Sequence, residues 1–179
     1  MSPPDVLRRK LTVRAHGRSL VLVKRAEESA EHVVQKALLW ALFLPAYPAV
    51  RVEVPLPGGG RYKPDLLALD DAGEPLFWGE CGVVGAAKLR TLLRRHRDTH
   101  FVFSKWAARL DPVAAAIDAA HHDARRAAPV ELISFAPDAA DAIADDGSIT
   151  IERASLEIRR WDPASPRTTP PPRGAGRRR

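Results

Sequence analysis

A chain of 179 residues, 45% of them hydrophobic, is long enough to bury one core of ordinary size. Its single cysteine, Cys81, excludes an intrachain disulfide and fits a reducing compartment. The net charge of +6 is unevenly spread: from Asp162 onward five arginines face one acid, so the preceding body carries only +2 and its charge alone does not indicate nucleic acid.

Met1–Asp5 lacks a basic segment followed by an apolar one, so no secretory signal is read there. The longest apolar run, 37–50, is broken by Pro45 and Pro48 and is too short for a bilayer. A cytoplasmic protein is expected. Leu7 to Lys24 reads as two strands around a tight turn at His16-Gly17. Ala26 to Leu44 is the clearest helix, with Ser29 able to cap it and Val34, Leu38, Ala41 and Leu42 at helical spacing. Short strands follow at Val50–Val54, Tyr62–Leu69 and Leu76–Glu80, separated by turns at 57–60 and 70–73. A helix from about Gly85 to His96, a strand His100–Ser104, a helix Pro112–Arg126 and a strand Val130–Phe135 come next. A turn of helix at 137–144 and a closing hairpin, Ser148–Ile151 with Ala154–Arg160, complete a body over 1–161. The Pro-, Gly- and Arg-rich segment 162–179 is expected to be a disordered tail. The class is α+β, with one βαβ crossover at its centre.

Two acids stand where a sheet should be dry. Asp65 opens one apolar run and Glu80 closes another. With the turn at 70–73 as a hairpin centre, paired residue numbers sum to 144 or 145, which sets Asp65 opposite Gly79 or Glu80. Opposed side chains on one face have Cβ atoms ~5 Å apart. Two ionised carboxylates that close repel each other, so either one keeps a proton or a cation lies between them. A hard ion such as Mg²⁺ suits a site with few protein oxygens and the rest water or phosphate. Glu31, in a stripe with Gln35, Leu38 and Leu42, is a third candidate ligand; its alternative role is a first-turn acid favoured by the helix dipole. Glu80 and Ser104-Lys105 end parallel strands on one sheet edge, and Lys88 sits one turn into the helix leaving Glu80. Both lysines can therefore approach the acids, although a lone lysine is more often a solvated side chain.

Other features carry less. Cys81, next to Glu80 on the strand, should face the other way and be a buried, inert thiol. His121-His122 diverge on a helix, and Gly58-Gly59-Gly60 lacks the Lys-Ser/Thr of a phosphate loop. The four tryptophans read as anchors outside any aromatic-and-basic stripe. Arg90, Arg94, Arg95 and Arg97 on the crossover helix form a basic face that can meet phosphates or simply be solvated.

Pro64-Asp65, then Glu80-Cys81-Gly82 closing an apolar strand, resembles the PD-(D/E)xK nuclease-like superfamily. Within it the chain is similar to the YaeQ family: in Glu28-Ser29-Ala30-Glu31 and its helix through Leu39-Trp40, in Leu76–Gly82 with Lys88-Leu89-Arg90, and in Asp145-Asp146-Gly147 with Leu156–Trp161. The resemblance implies a restriction-endonuclease-like central mixed β-sheet flanked by α-helices, and the acidic set Glu31, Asp65 and Glu80. One departure is that Gly82 stands where the pattern has lysine; the superfamily lets that lysine migrate to the next helix, which nominates Lys88. Two functions follow as expectations. One is a Mg²⁺-dependent nucleic-acid phosphodiesterase, with Asp65, Glu80 and Glu31 on the metal and Lys88 or Lys105 positioning the attacking water. The other is an inactive nuclease-fold protein that binds nucleic acid or a protein partner through the arginine helix and the tail.

Overall fold

The computed structural model describes residues 10–163. The start of the first expected strand, Leu7–Arg9, and the expected tail from residue 164 onward lie outside them. Lys10–Ala15 (β1) and Arg18–Val23 (β2) form a hairpin, its turn made by His16 and Gly17 in left-handed backbone at φ 48° and 73°. Ala30–Phe43 (α1) follows, with Ser29 Oγ accepting the His32 amide at 3.2 Å as an N-cap. From Val33 on, nearly every residue of α1 is buried, as its apolar sequence requires.

Arg51–Val52 (β3), Leu66–Leu69 (β4), Pro75–Cys81 (β5), His100–Trp106 (β6), Val130–Phe135 (β7) and Glu157–Trp161 (β8) form a second sheet in chain order. β5, β6 and β7 run parallel and the flanking pairs antiparallel. Ala86–Arg95 (α2) and Asp111–Ala124 (α3) are the two crossovers, one more than the sequence indicated. Parallel strands in succession put the carboxyl ends of β5 and β6 at one edge, where sites in such sheets form.

Both faces of the central strands are buried. Along β5, Phe77 and Cys81 join the core beneath α1 and the hairpin. Trp78 points the other way, into a core shared with Leu89, Leu92 and Leu93 of α2 and Ile117 of α3. Cys81 is thus buried on the face opposite Glu80, and burial pushes its thiol well above the usual range. The Arg126 guanidinium, also buried, closes the end of α2. It donates to Leu93 O at 2.8 Å, His96 O at 2.9 Å and Thr99 O, and lies over Phe101.

Two expectations are corrected. The closing hairpin does not form: Glu157–Trp161 pairs with β7 instead, while Ser148 and Ile149 make single bridges to Arg14 and Ile143. β7 offers a full open edge, and Arg153 and Arg160 bind its buried Glu131, so that pairing outcompetes a local turn. Arg97 lies beyond the end of α2, so it shares the basic surface but not the helix. No helix among the described residues is long and apolar enough to cross a membrane.

Candidate functional site

The register around the 70–73 turn decides where the two acids meet. Asp70 Oδ1 accepts the amides of Ala72 (2.9 Å) and Glu74 (2.8 Å), and Gly73 adopts φ 83°. Leu66 then faces Gly79, which brings Asp65 and Glu80 level across the end of β4 and β5. Their carboxyls reach different partners. Asp65 Oδ2 accepts the Cys81 amide at 2.7 Å and Oδ1 lies 3.3 Å from His32 Nε2. Glu80 Oε1 accepts Trp78 Nε1–H at 2.7 Å, and Oε2 accepts the Lys88 ammonium at 2.6 Å.

The surroundings push the two carboxyls in opposite directions. Burial raises Asp65, but the His32 side chain and the Cys81 amide outweigh it and hold the group below its ordinary value. Burial raises Glu80 as well, and there Lys88 and Trp78 do not fully offset it, while the charge of Asp65 adds to the rise. The cation demanded by two opposed acids is supplied in part from within the chain, as Lys88 on Glu80.

The other nominated residues behave differently. Lys105 is buried and its ammonium donates to the Gly82 carbonyl rather than to an acid; burial lowers its pKa. Its neighbour Ser104 points to the opposite face and donates to Gln35 Oε1 at 3.0 Å. Glu31 is half-buried in the first turn of α1, ahead of the fully buried stretch, and does not line the cleft at Asp65. Glu28, one residue before the N-cap, does line it.

That cleft has a volume of about 530 Å³, and Arg25, Glu28, His32, Glu53, Lys63 and Asp65 supply most of its charge. His32 Nε2 sits between Asp65 and Glu28 Oε1, 3.5 Å from the latter. Beneath it the Lys36 ammonium, on a side chain only 1% exposed, donates to both Glu28 and Glu53. Burial opposes that charge, yet the two carboxylates raise the Lys36 pKa overall. Glu53 adopts φ 56°, left-handed backbone rare for a residue with a side chain, and is also met by Arg25 at 3.2 Å. Glu28, His32, Lys36 and Glu53 were missed in the sequence. The signal for Lys36 was a charge inside an apolar helical run, with Glu28 two turns earlier.

Gly82 explains its own identity. Its φ is 78°, and a Cβ there would lie 3.3 Å from His32 Nδ1. A side chain at this position would therefore press on the imidazole, which would have to give by a few tenths of an ångström. Asp65 and Glu80 are two hard oxygen donors, which is as many as Mg²⁺ commonly takes from a protein when water or phosphate completes its shell. No group of three or more His, Cys, Asp and Glu side chains among the described residues is arranged to hold a metal. The donor set therefore fits Mg²⁺ only as a two-carboxylate site. On the outer surface, Arg90, Arg94 and Arg95 on α2 and Arg97 just after it are all exposed.

The sequence matches no protein-family model and no curated protein. Two solved structures are similar. The YaeQ protein from Xanthomonas axonopodis pv. citri superposes with a TM-score of 0.51 at 19% identity, over 84% of this chain and 93% of its own. The YaeQ protein from Pseudomonas syringae gives a TM-score of 0.56 at 15% identity, over 84% and 86%. Through most of its length the chain has the fold of these YaeQ proteins.

Proposed function

We propose that the chain is a divergent YaeQ-family member of the PD-(D/E)xK nuclease-like superfamily and a Mg²⁺-dependent phosphodiesterase acting on nucleic acid in the cytoplasm. The observation that carries the reading is the level placement of Asp65 and Glu80 at the strand edge with the Lys88 ammonium 2.6 Å from Glu80. An acid at the start of one strand, an acid near the end of its neighbour and a lysine from the next helix is the arrangement expected after the lysine has left position 82.

In this reading Asp65 and Glu80 hold the ion, which when bound supplies shielding of phosphate charge and an acidified water. The chain's own residues do the rest. Trp78 fixes the Glu80 carboxyl through Oε1, and the Cys81 amide fixes Asp65 through Oδ2. Lys88, a quarter exposed, is free to turn from Glu80 Oε2 towards a phosphate oxygen. The exposed arginines 90, 94, 95 and 97 offer backbone phosphates a charged approach.

A second reading has its own support: both acids already have protein partners, and His32 packs close against Gly82. In it the fold has lost turnover and binds nucleic acid or a protein partner. Calorimetric titration of Mg²⁺ and Mn²⁺ into the full chain, with Asp65→Asn and Glu80→Gln as controls, separates the two. Binding abolished by both substitutions, followed by Mg²⁺-dependent cleavage of an oligonucleotide, is the expected result. No metal binding in a folded wild type leaves the binding protein.

A further inference from the structure

Next to the acids lies a patch that the proposed chemistry does not use. The segment Arg61-Tyr62-Lys63 precedes Asp65, and the Tyr62 ring is half-buried against the core of α2 and α3. Two cations lie over that ring, the Arg61 guanidinium and the Lys88 ammonium, each 5.4 Å from its centroid. Lys88 is the lysine that holds Glu80, so the ring stands directly beside the candidate site. Val83 follows Gly82, lines the same cleft as Lys63 and Asp65, and is 96% exposed.

The combination is chemically specific. A wholly exposed β-branched side chain at a charged cleft mouth leaves in water apolar area that most valines bury. The exposed Arg61 guanidinium over the ring is a stacking partner that a nucleobase can replace, which releases that cation to a phosphate. In a duplex, base faces are covered by their neighbours and only base edges are open in the grooves. Using Tyr62 and Val83 as base-face contacts therefore requires unpaired nucleotides.

Building on the phosphodiesterase reading, we infer that the site takes single-stranded nucleic acid: a base adjacent to the reacting phosphate packs on Tyr62 and Val83, and Arg61 and Lys63 hold the flanking phosphates. This names the strand state of the substrate and the residues that select it.

The test measures binding by fluorescence anisotropy of the full chain, in EDTA so that no turnover occurs. Its probes are a labelled mixed-sequence 12-mer as a single strand and the same 12-mer annealed to its complement. The single strand is expected to bind about tenfold more tightly, and Tyr62→Leu, which keeps apolar packing beneath α2, to lose about tenfold on the single strand alone. Val83→Ser, fully exposed and so harmless to folding, should weaken the single strand by about threefold and leave the duplex unchanged. Arg61→Ala with Lys63→Ala should weaken both probes and flatten the salt dependence. Equal affinity for both probes, no binding of either, or Tyr62→Leu and Val83→Ser variants indistinguishable from wild type overturns the inference. Failures separate cleanly from those of the phosphodiesterase reading. Mg²⁺-dependent cleavage of duplex but not of single strand sinks this inference and keeps that reading. Selective single-strand binding without cleavage does the reverse.

Discussion

The Lys88 ammonium lies 2.6 Å from Glu80 Oε2, on the helix that begins five residues after the strand ends, so the acid and its counter-charge are set by one crossover. The two are buried unequally: Glu80 is 5% exposed and Lys88 26%. Removing either partner should therefore cost different amounts. Lys88→Met leaves a buried carboxylate with Trp78 alone and should destabilise by about 2–3 kcal/mol. Glu80→Gln keeps the Trp78 bond and lets the lysine turn to water, at about 1 kcal/mol or less. Urea unfolding at pH 7 measures both, and equal losses would show that the pair is not buried as described.

The cleft floor makes a harsher case. Lys36 is one ammonium between Glu28 and Glu53, with its pKa raised by them against burial. That contribution is fully present below the unfolded lysine value and is lost only as pH rises through the higher folded value, so neutral pH sees all of it. Lys36→Met should destabilise by about 3–5 kcal/mol, and Glu28→Gln with Glu53→Gln in the same chain should restore a large part. Chemical denaturation of the single and triple variants checks this; a triple variant as unstable as the single would place the loss in packing instead.

What the sequence disclosed about this region follows from what is local. The turn at Asp70–Gly73 is short-range, and taking it as a hairpin centre set Asp65 opposite Gly79 or Glu80, of which the observed register selects Glu80. Lys88 was legible for the same reason, since it sits in the first turn of the helix that leaves the strand. The cleft was not, because its members come from distant places: Glu53 arrives through a left-handed backbone that no spacing announces. Glu31 shows the limit of helical phase. It shares a stripe with buried Gln35, yet it lies in the first turn of α1, ahead of the buried stretch, and Glu28 before the cap takes the cleft position instead. The closing hairpin failed on a long-range competition with β7 that a local reading does not contain.

At the far end of the sheet, Glu131 gives the clearest pH dependence. Its side chain is 1% exposed and is met by Arg153 at 2.6 Å, Arg160 at 2.5 Å and His100 at 3.5 Å. Burial raises the carboxyl, but His100 and Arg153 outweigh it and bring the pKa to about 2 from an ordinary 4.5. The folded value lies below the unfolded one, so this stabilisation is present above about pH 4.5 and is lost as pH falls towards about 2. The shift corresponds to about 3 kcal/mol. Glu131→Gln should lose about that much at pH 7 and show a flatter stability profile between pH 4.5 and 2. Thermal unfolding across that range is the measurement, and an unchanged profile would assign acid sensitivity to other groups.

In the proposed reading, Gly82 stands where the PD-(D/E)xK pattern has its lysine. Its φ of 78° disfavours any side chain, and the space a Cβ would take borders His32 Nδ1 at 3.3 Å. Its amide donates to Ser104 O at 3.0 Å and its carbonyl accepts Lys105, so the backbone has little freedom to rotate away. Gly82→Ala should cost about 1–2 kcal/mol from backbone strain. Gly82→Lys puts a lysine where the PD-(D/E)xK pattern has one, but should lose at least as much stability and gain no activity. The new side chain would press on the imidazole that meets Asp65, and in the proposed reading the ammonium already comes from Lys88. Urea midpoints and Mg²⁺-dependent cleavage rates of the two variants decide it. A Gly82→Lys chain as stable as wild type, or faster in cleavage, would mean that the position accepts lysine and that Lys88 is a bystander.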